Sequence, residues 1–327
     1  MLKVGMISKW HVHAEGYAKT VNDSGIAQVV AVWDDDEARG KAFAEDLKAE
    51  YYSDLDKMLE VVEAVVVCSE TTHHFELISK AAKAGKAVFT EKALAPTVEE
   101  AEKLADIIEE AGITFTISLP QLSSGAVRYA KKMIDNGEFG KITAARIRNG
   151  HDGVSGGWLP DYWFEEKDAA GGSLMDLGCH PMYTANYLFG KAEKITSLMT
   201  APFGSKVDEA ATAIIKYENG AIVDAETSFD TFATPGSLEI YGSDATFVSV
   251  GGDVKIFSKK MQDSMGIKGP FSPRMPESLP IPLVIFLHAC VDGTGTPENL
   301  GPRDGVNLTR VLQNSYVAYN GNKIVEL

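Results

Sequence analysis

Three scarcities bound this chain. Cysteine is the first: Cys68, Cys179 and Cys290 are odd in number, far apart and without metal-ligand spacing. That pattern excludes a disulfide framework and suits a reducing cytoplasm. Positive charge is the second. Against 46 acidic residues stand 31 Lys and Arg, a formal charge of -15, with no basic cluster to interrupt it, so a phosphate backbone or an anionic membrane would be repelled. Long apolar runs are the third: none approaches the ~20 residues of a membrane span, and with Met1-Leu2-Lys3 running straight into the first strand no signal peptide is expected. The expectation is a cytoplasmic protein with neither nucleic acid nor membrane as partner.

Glycine is absent from one decisive place. Val4-Gly5-Met6-Ile7 is a short apolar run, and Ser8-Lys9-Trp10-His11-Val12-His13-Ala14 leads from it into a helical segment. A dinucleotide-binding turn at that point uses three glycines, for the tight bend, for backbone approach to the pyrophosphate and for helix–strand packing. The candidate positions here hold Ser8, Trp10 and His13. Backbone approach is poorer without glycine, although Lys9 and the helix N–H groups can still meet a phosphate. Weaker or differently posed nucleotide binding is expected.

The 327 residues, 45% of them hydrophobic, supply two domains. In the first, apolar runs at Ala27–Trp33, Val61–Cys68, Lys86–Thr90 and Ile113–Ser118 alternate with helical segments at His13–Val21, Glu37–Lys48, Phe75–Ala84 and Val98–Ala111. Such alternation predicts an α/β domain with a doubly wound parallel sheet over residues 1–120, ligands gathering at the carboxyl ends of its strands. Residues 121–327 change character. Strands expected between Ile195 and Ser258, with Asn219-Gly220 as a hairpin turn, predict an α+β domain built on a large, mostly antiparallel sheet, one face covered by helices and the other available to a second subunit. Leu283–Val291 and Val306–Tyr319 read as helices, and Lys259–Pro282, broken by Gly and Pro, reads as a loop.

Ser8, Asp34, Ser69, Thr71, Glu91 and Lys92 all fall at strand ends of the first domain. Asp34 closes the second strand, where a carboxylate grips the adenosine ribose hydroxyls. An acid there repels a 2′-phosphate, and no Arg or Lys follows before Arg39, so the reading is NAD rather than NADP. The plainer alternative makes Asp34-Asp35-Asp36 caps for the next helix.

Two motifs carry a family resemblance. Glu91-Lys92 at a strand end, and Gly171-Gly172-Ser173-Leu174-Met175-Asp176-Leu177-Gly178-Cys179-His180 half a chain later, resemble the glucose-fructose oxidoreductase, inositol dehydrogenase and rhizopine catabolism superfamily. Ser69–His74, Asp135–Lys141 and Glu218–Ala221 add smaller matches. The resemblance implies an NAD(P)-dependent oxidoreductase acting on a sugar, polyol or related small hydroxylated molecule. It also implies that Lys92, Asp176 and His180 match the residues of hydride-transfer chemistry. An alcohol loses a proton from oxygen as hydride leaves carbon, so a base must reach the hydroxyl. His180 suits that role with an ordinary pKa of roughly 6.5, Lys92 would hold the oxygen, and Asp176 would orient either partner, both motif residues lying on one helix face unless Pro181 breaks it. Cofactor contacts are expected from Ser8, Lys9, Trp10, His11, Asp34, Ser69, Thr71, His74, Glu91 and Lys92. Substrate contacts are expected from His151, Asp152, Trp158 and Trp163 in a pocket between the domains; core packing or a subunit interface is the rival role for the two tryptophans.

The chain departs from the superfamily in several places. Ala93 stands where proline is usual, so a cis bond is not expected; Tyr183 stands where many members have Asp; and Leu119–Ser123 replaces an Arg-rich stretch. Two rival readings follow. One is a family member that binds ligand or regulates but has lost the nucleotide. The other is a hydrolytic metal site on His11, His13, His151 and His180; their spacing is not that of a metal motif, and no metal is expected.

Overall fold

The structure, a computed structural model, describes residues 1–267 and 269–327. Lys268, inside the stretch read as a loop, lies outside them. The chain falls into two units, residues 1–119 with 280–309 and residues 120–279 with 310–327; the sequence reading makes one cut at 120 and does not anticipate the return of 280–309.

In the first unit, β1 (Leu2–Ile7), α1 (Ala14–Asp23), β2 (Ala27–Trp33), α2 (Glu37–Leu47), β3 (Glu50–Tyr51), α3 (Leu55–Val61), β4 (Ala64–Val67), α4 (His74–Lys83), β5 (Ala87–Thr90), α5 (Val98–Ala111) and β6 (Phe115–Ile117) follow in order. The strands form one parallel sheet, β3-β2-β1-β4-β5-β6. Their runs are mostly apolar because both faces are covered; the neighbours Met6 and Ile7, Val65 and Val66, and Val88 and Phe89 are all buried. Helix starts are set locally. Asp36 accepts the Ala38 and Arg39 N–H groups ahead of α2, Asp54 caps α3, and Thr97 caps α5. β3 and α3 escape the sequence reading, since Val61 ends a short helix whose apolar tail runs straight on towards β4. Strand order reverses between β1 and β4, and a crevice at the carboxyl ends belongs to such a reversal. The returning helix α11 (Pro282–Asp292) brings Leu283, Phe286 and Leu287 into the same apolar cluster as Val4 and Phe89, which is the physical reason 280–309 belongs here.

The second unit contains α6 (Gly125–Asp135), β7 (Ile142–Gly150), α7 (Glu166–Ala169), α8 (Ser173–Asp176), α9 (Cys179–Phe189), β8 (Ala192–Thr200), β9 (Ala210–Tyr217), β10 (Ile222–Ser228), β11 (Ser237–Gly242), β12 (Ala245–Val250), β13 (Asp253–Ser258) and α10 (Lys259–Met265). After α11 (Pro282–Asp292), α12 (Pro302–Gly321) carries the chain back to it and β14 (Val325–Glu326) closes it. Its sheet runs β13-β12-β11-β7-β10-β9-β8-β14, antiparallel except for the β7–β10 pair. Residues alternate as a half-covered sheet requires: Ala211, Ala213, Ile215 and Tyr217 are buried in β9, while Ile214 on the other face is exposed beside Leu198 and Ile222. The expected loop after Ser258 begins instead as α10, because the Ser258 side chain caps Met261 N and Gly266, at φ 66°, ends the helix. Among the described residues no helix is long and apolar enough to cross a membrane.

Candidate functional site

The glycine-poor turn is fastened to the strands on both sides. Ser8 adopts φ 66°, a left-handed conformation for which glycine would be the usual choice. Its N–H donates to Trp33 O at 2.7 Å, and His11 N–H donates to Cys68 O at 2.9 Å. Trp10 and His11 are buried. Lys9, expected at a phosphate, pairs through its ammonium with Glu15 at 2.7 Å.

Lys9 N–H donates to Asp34 Oδ2 at 2.8 Å, which ties the turn to the end of β2. Asp34 is buried and its carboxylate is well occupied: Arg39 Nε lies 3.1 and 3.0 Å from its two oxygens and Arg39 Nη2 2.6 Å from Oδ1. Burial pushes its pKa up, but the Arg39 bonds, with help from Asp35 and Lys9, outweigh this and hold it below the ordinary range. The cap is therefore Asp36, not Asp34. Sequence spacing alone treated Arg39 as remote from Asp34; the first turn of α2 folds it back, and Gly40 makes room, since a Cβ there would stand 2.6 Å from Asp34 Cβ. Arg39 also reaches Ser8 Oγ at 3.2 Å, Asp35 at 2.7 Å and Glu70 at 3.8 Å. Beside this cluster, Trp33, Asp35, Asp54, Leu55, His73 and Leu77 line a hollow of about 400 Å³.

Glu91, at the end of β5, is the second focus. It is fully buried. Oε2 accepts the Lys92 N–H at 3.1 Å, while Oε1 accepts Tyr17 Oη–H and lies 2.8 Å from His13 Nδ1 and 3.9 Å from His11 Nδ1. Burial alone would raise the Glu91 pKa; the charges of His11 and Lys92 and the His13 hydrogen bond reverse that and hold it well below the carboxylate range. Tyr17 Oη also contacts Ser118 Oγ at 2.9 Å, and burial, then the Glu91 charge, pushes the phenol pKa up. Lys92 is buried.

Ser69 and Thr71, expected at the cofactor, are buried in the segment after β4. His74 is fully buried with Nδ1 2.8 Å from Ala93 O, and burial depresses its pKa. The Lys92–Ala93 peptide is cis, contrary to the expectation from alanine in the place of proline; the segment Ala93-Leu94-Ala95 is buried and gripped by the His74 bond, surroundings that no local rule weighs.

In the second unit a Cβ on Gly171 would meet the Tyr316 hydroxyl, and Gly172 is explained by Asp208. Its carboxylate accepts Gly172 N–H at 3.0 Å, Leu174 N–H at 2.7 Å, Ser173 Oγ–H at 2.9 Å and Tyr316 Oη–H at 2.7 Å. A Cβ on Gly172 would collide with the Asp208 backbone. This clamp starts α8. The helix stops at Asp176, and α9 begins at Cys179 after Leu177-Gly178, so Asp176 and His180 do not share one helix; Pro181 stands in the first turn of α9, where its missing N–H costs nothing. His180 Nδ1 lies 2.8 Å from Tyr183 Oη, which accepts the Gln121 N–H at 3.0 Å. Tyr183 is a residue the sequence reading records only as a departure; its i, i+3 spacing from His180 was the available signal.

A cavity of about 280 Å³ is lined by Gln121, Ser124, Arg148, Asn149, His180 and Thr184, among others. The Thr184 Oγ1 is buried without a hydrogen-bond partner. His151, Asp152, Trp158 and Trp163 are not among its lining residues. They lie in the segment after β7: His151 stacks on Phe229 at 5.1 Å, with Trp158 at 4.7 Å, Trp158 donates to Asp152 Oδ1 at 3.0 Å, and Trp163 is buried. Polar Arg148-Asn149 at the end of an alternating strand was the sequence signal for the cavity.

Comparison with known proteins gives a consistent result. Residues 4–119 match "Oxidoreductase family, NAD-binding Rossmann fold" and residues 127–248 match "GFO/IDH/MocA C-terminal domain". The D-xylose dehydrogenase of Paenarthrobacter nicotinovorans is 30% identical over 213 residues, 63% of this chain and 54% of that protein. The scyllo-inositol 2-dehydrogenase (NAD(+)) of Bacillus subtilis (strain 168) is 30% identical over 214 residues, 62% of this chain and 60% of that protein. The match thus spans little more than half the length of these two relatives. Levoglucosan dehydrogenase, solved in complex with NADH and levoglucosan, has the same fold, with a TM-score of 0.85 over 99% of both chains at 20% identity.

Proposed function

The chain belongs to the GFO/IDH/MocA family of oxidoreductases, and we propose that it is an NAD-dependent dehydrogenase moving hydride between the nicotinamide and a sugar, polyol or related small hydroxylated substrate. The observation that carries this reading is the placement of Asp34 at the end of β2 and Glu91-Lys92 at the end of β5, on a parallel sheet whose order reverses between β1 and β4. The residues present fit a dinucleotide. Asp34 would hold the adenosine ribose, the hollow beside Trp33 and Leu55 has room for the adenine, and Ser8, Lys9, Trp10 and His11 would meet the diphosphate, with Ser69, Thr71, His74, Glu91 and Lys92 completing the contacts. Three carboxylates, Asp34, Asp35 and Glu70, surround the single Arg39 guanidinium; the local excess of negative charge favours NAD over NADP.

The nicotinamide, when bound, supplies the hydride acceptor. On the chain's side, His180 takes the hydroxyl proton at Nε2, which requires Nδ1–H to donate to Tyr183 Oη and so fixes the tautomer. Lys92 holds the substrate oxygen, and Asp176 supports the charged form of its partner. The polar lining of the cavity beside His180, together with His151, Asp152, Trp158 and Trp163, would receive the substrate. The exposed Leu198, Ile214 and Ile222 face supports association with a second copy, and three free cysteines suit the cytoplasm.

One observation favours the rival, a ligand-binding member without nucleotide: Ser8 at φ 66° and the buried Trp10 occupy the turn where glycines belong. Titration with NADH and NADPH, followed by nicotinamide fluorescence, separates the two. Binding of NADH supports the dehydrogenase, and failure of both at millimolar concentration sinks it. With binding in hand, a panel of sugars and polyols identifies the substrate, and Lys92→Ala should abolish turnover without unfolding the protein.

A further inference from the structure

The family's glycines have been replaced in this turn by a constellation with chemistry of its own. His11 and His13 present their rings to each other, centroids 4.6 Å apart, and Glu91 arrives beneath them from 78 residues away in sequence. One nitrogen of each imidazole and one carboxylate oxygen all lie within 4.8 Å of one another. We propose that this turn binds a divalent transition-metal ion of the Zn²⁺ class through His11, His13 and Glu91.

The donor set selects the class of ion. Two imidazoles and one carboxylate suit zinc and its neighbours, whereas magnesium and calcium take mostly oxygen. Separations fit as well. Ligands about 2.0–2.1 Å from a tetrahedral ion stand about 3.3 Å apart, and the observed 2.8 Å and 3.9 Å from Glu91 Oε1 to the two Nδ1 atoms bracket that value. The ion would take the place of the His13 backbone N–H, which His11 Nδ1 accepts at 3.2 Å.

Two of the ligands are held before the ion arrives. His11 is buried and its backbone is bound to Cys68 O. Glu91 is fixed by Tyr17 Oη at Oε1 and by the Lys92 N–H at Oε2, the outer hydrogen bonding that orients a metal-ligating carboxylate. The third ligand gives access: the His13 side chain is 50% exposed. Three protein ligands leave a position open to an oxygen donor. That position belongs to the first βα turn, so an anionic group approaching α1 would meet a cation there in place of glycine N–H groups.

A second His-carboxylate group, Asp35, Glu70 and His73, is a poorer candidate because the Arg39 guanidinium stands 2.7 Å from Asp35 and 3.8 Å from Glu70. It serves as the internal control.

The test uses the full chain, stripped with chelator and free of nucleotide, so its outcome does not depend on the dehydrogenase reading. Calorimetric titration with Zn²⁺ should give one ion per chain, and Co²⁺ should develop the visible absorption of a low-symmetry four-coordinate site. His13→Ala, at a half-exposed position, should weaken Zn²⁺ binding by about 100-fold or more and abolish the rise in melting temperature that Zn²⁺ produces; Glu91→Gln should do the same, and His73→Ala should leave binding intact. Absence of stoichiometric binding, or binding that survives His13→Ala but not His73→Ala, overturns the proposal.

Discussion

The phenolic oxygen of Tyr183 stands 2.8 Å from Nδ1 of His180, one helical turn away, while the same oxygen accepts the Gln121 N–H at 3.0 Å. The tyrosine thereby acts as a positioning residue for the proposed base. Tyr183→Phe keeps the ring and removes the oxygen. Turnover should fall about tenfold, equivalent to about 1.4 kcal/mol, and the acid limb of the pH–rate profile should move. A drop in melting temperature with an unmoved profile would assign Tyr183 a purely structural role.

The Asp34–Arg39 pair should govern cofactor choice. Asp34→Ser removes the carboxylate that occupies Arg39 Nε and Nη2, leaving Nε open to a 2′-phosphate while Nη2 keeps Asp35. The ratio of NADPH to NADH affinity, read by fluorescence titration at fixed salt, should rise by about tenfold or more. An unchanged ratio would mean that the 2′-phosphate does not approach Arg39.

His74 should make the protein less stable on mild acidification. Burial lowers its pKa in the folded state, so below about 6.5 the unfolded chain binds a proton that the folded one does not. Stability is complete above that pH and falls as pH drops towards the folded-state value, by up to about 1.4 kcal/mol per pH unit from this group alone. Urea midpoints at several pH values measure it. His74→Asn should flatten the slope between pH values of about 6.5 and 5, and an identical slope in the variant would assign the acid sensitivity elsewhere.

Two glycine substitutions should diverge. Gly172→Ala places a methyl group against the Asp208 backbone and should cost several kcal/mol or prevent folding of the second unit. Gly16→Ala, within α1 and with nothing inside 4 Å of the new Cβ, should stabilise by about 0.5–1 kcal/mol. Melting temperatures decide both, and equal effects would show that Asp208 yields easily.

Much of this architecture is legible in the sequence because its causes are local. Apolar runs alternating with capped helical segments mark β1 to β6, and they place Asp34 and Glu91-Lys92 at strand ends. The Gly171–His180 motif is likewise continuous in sequence. Where local rules compete, the reading fails: Val61 ends a helix rather than beginning a strand, and the Ser258 cap makes a helix where the following prolines suggested a loop.

What the sequence by itself determined, then, is the pair of sheet types and the residues that stand at their edges, since period, caps and turn residues act over a few positions. Only the tertiary structure decided which of those residues meet. It folded Arg39 onto Asp34, set the Tyr183 hydroxyl against His180 Nδ1, placed Asp208 against Gly172, and brought Glu91 under His11 and His13. A buried charge must find its partner in space, and across 78 residues of intervening chain that partner is chosen by the packing of strands and not by spacing.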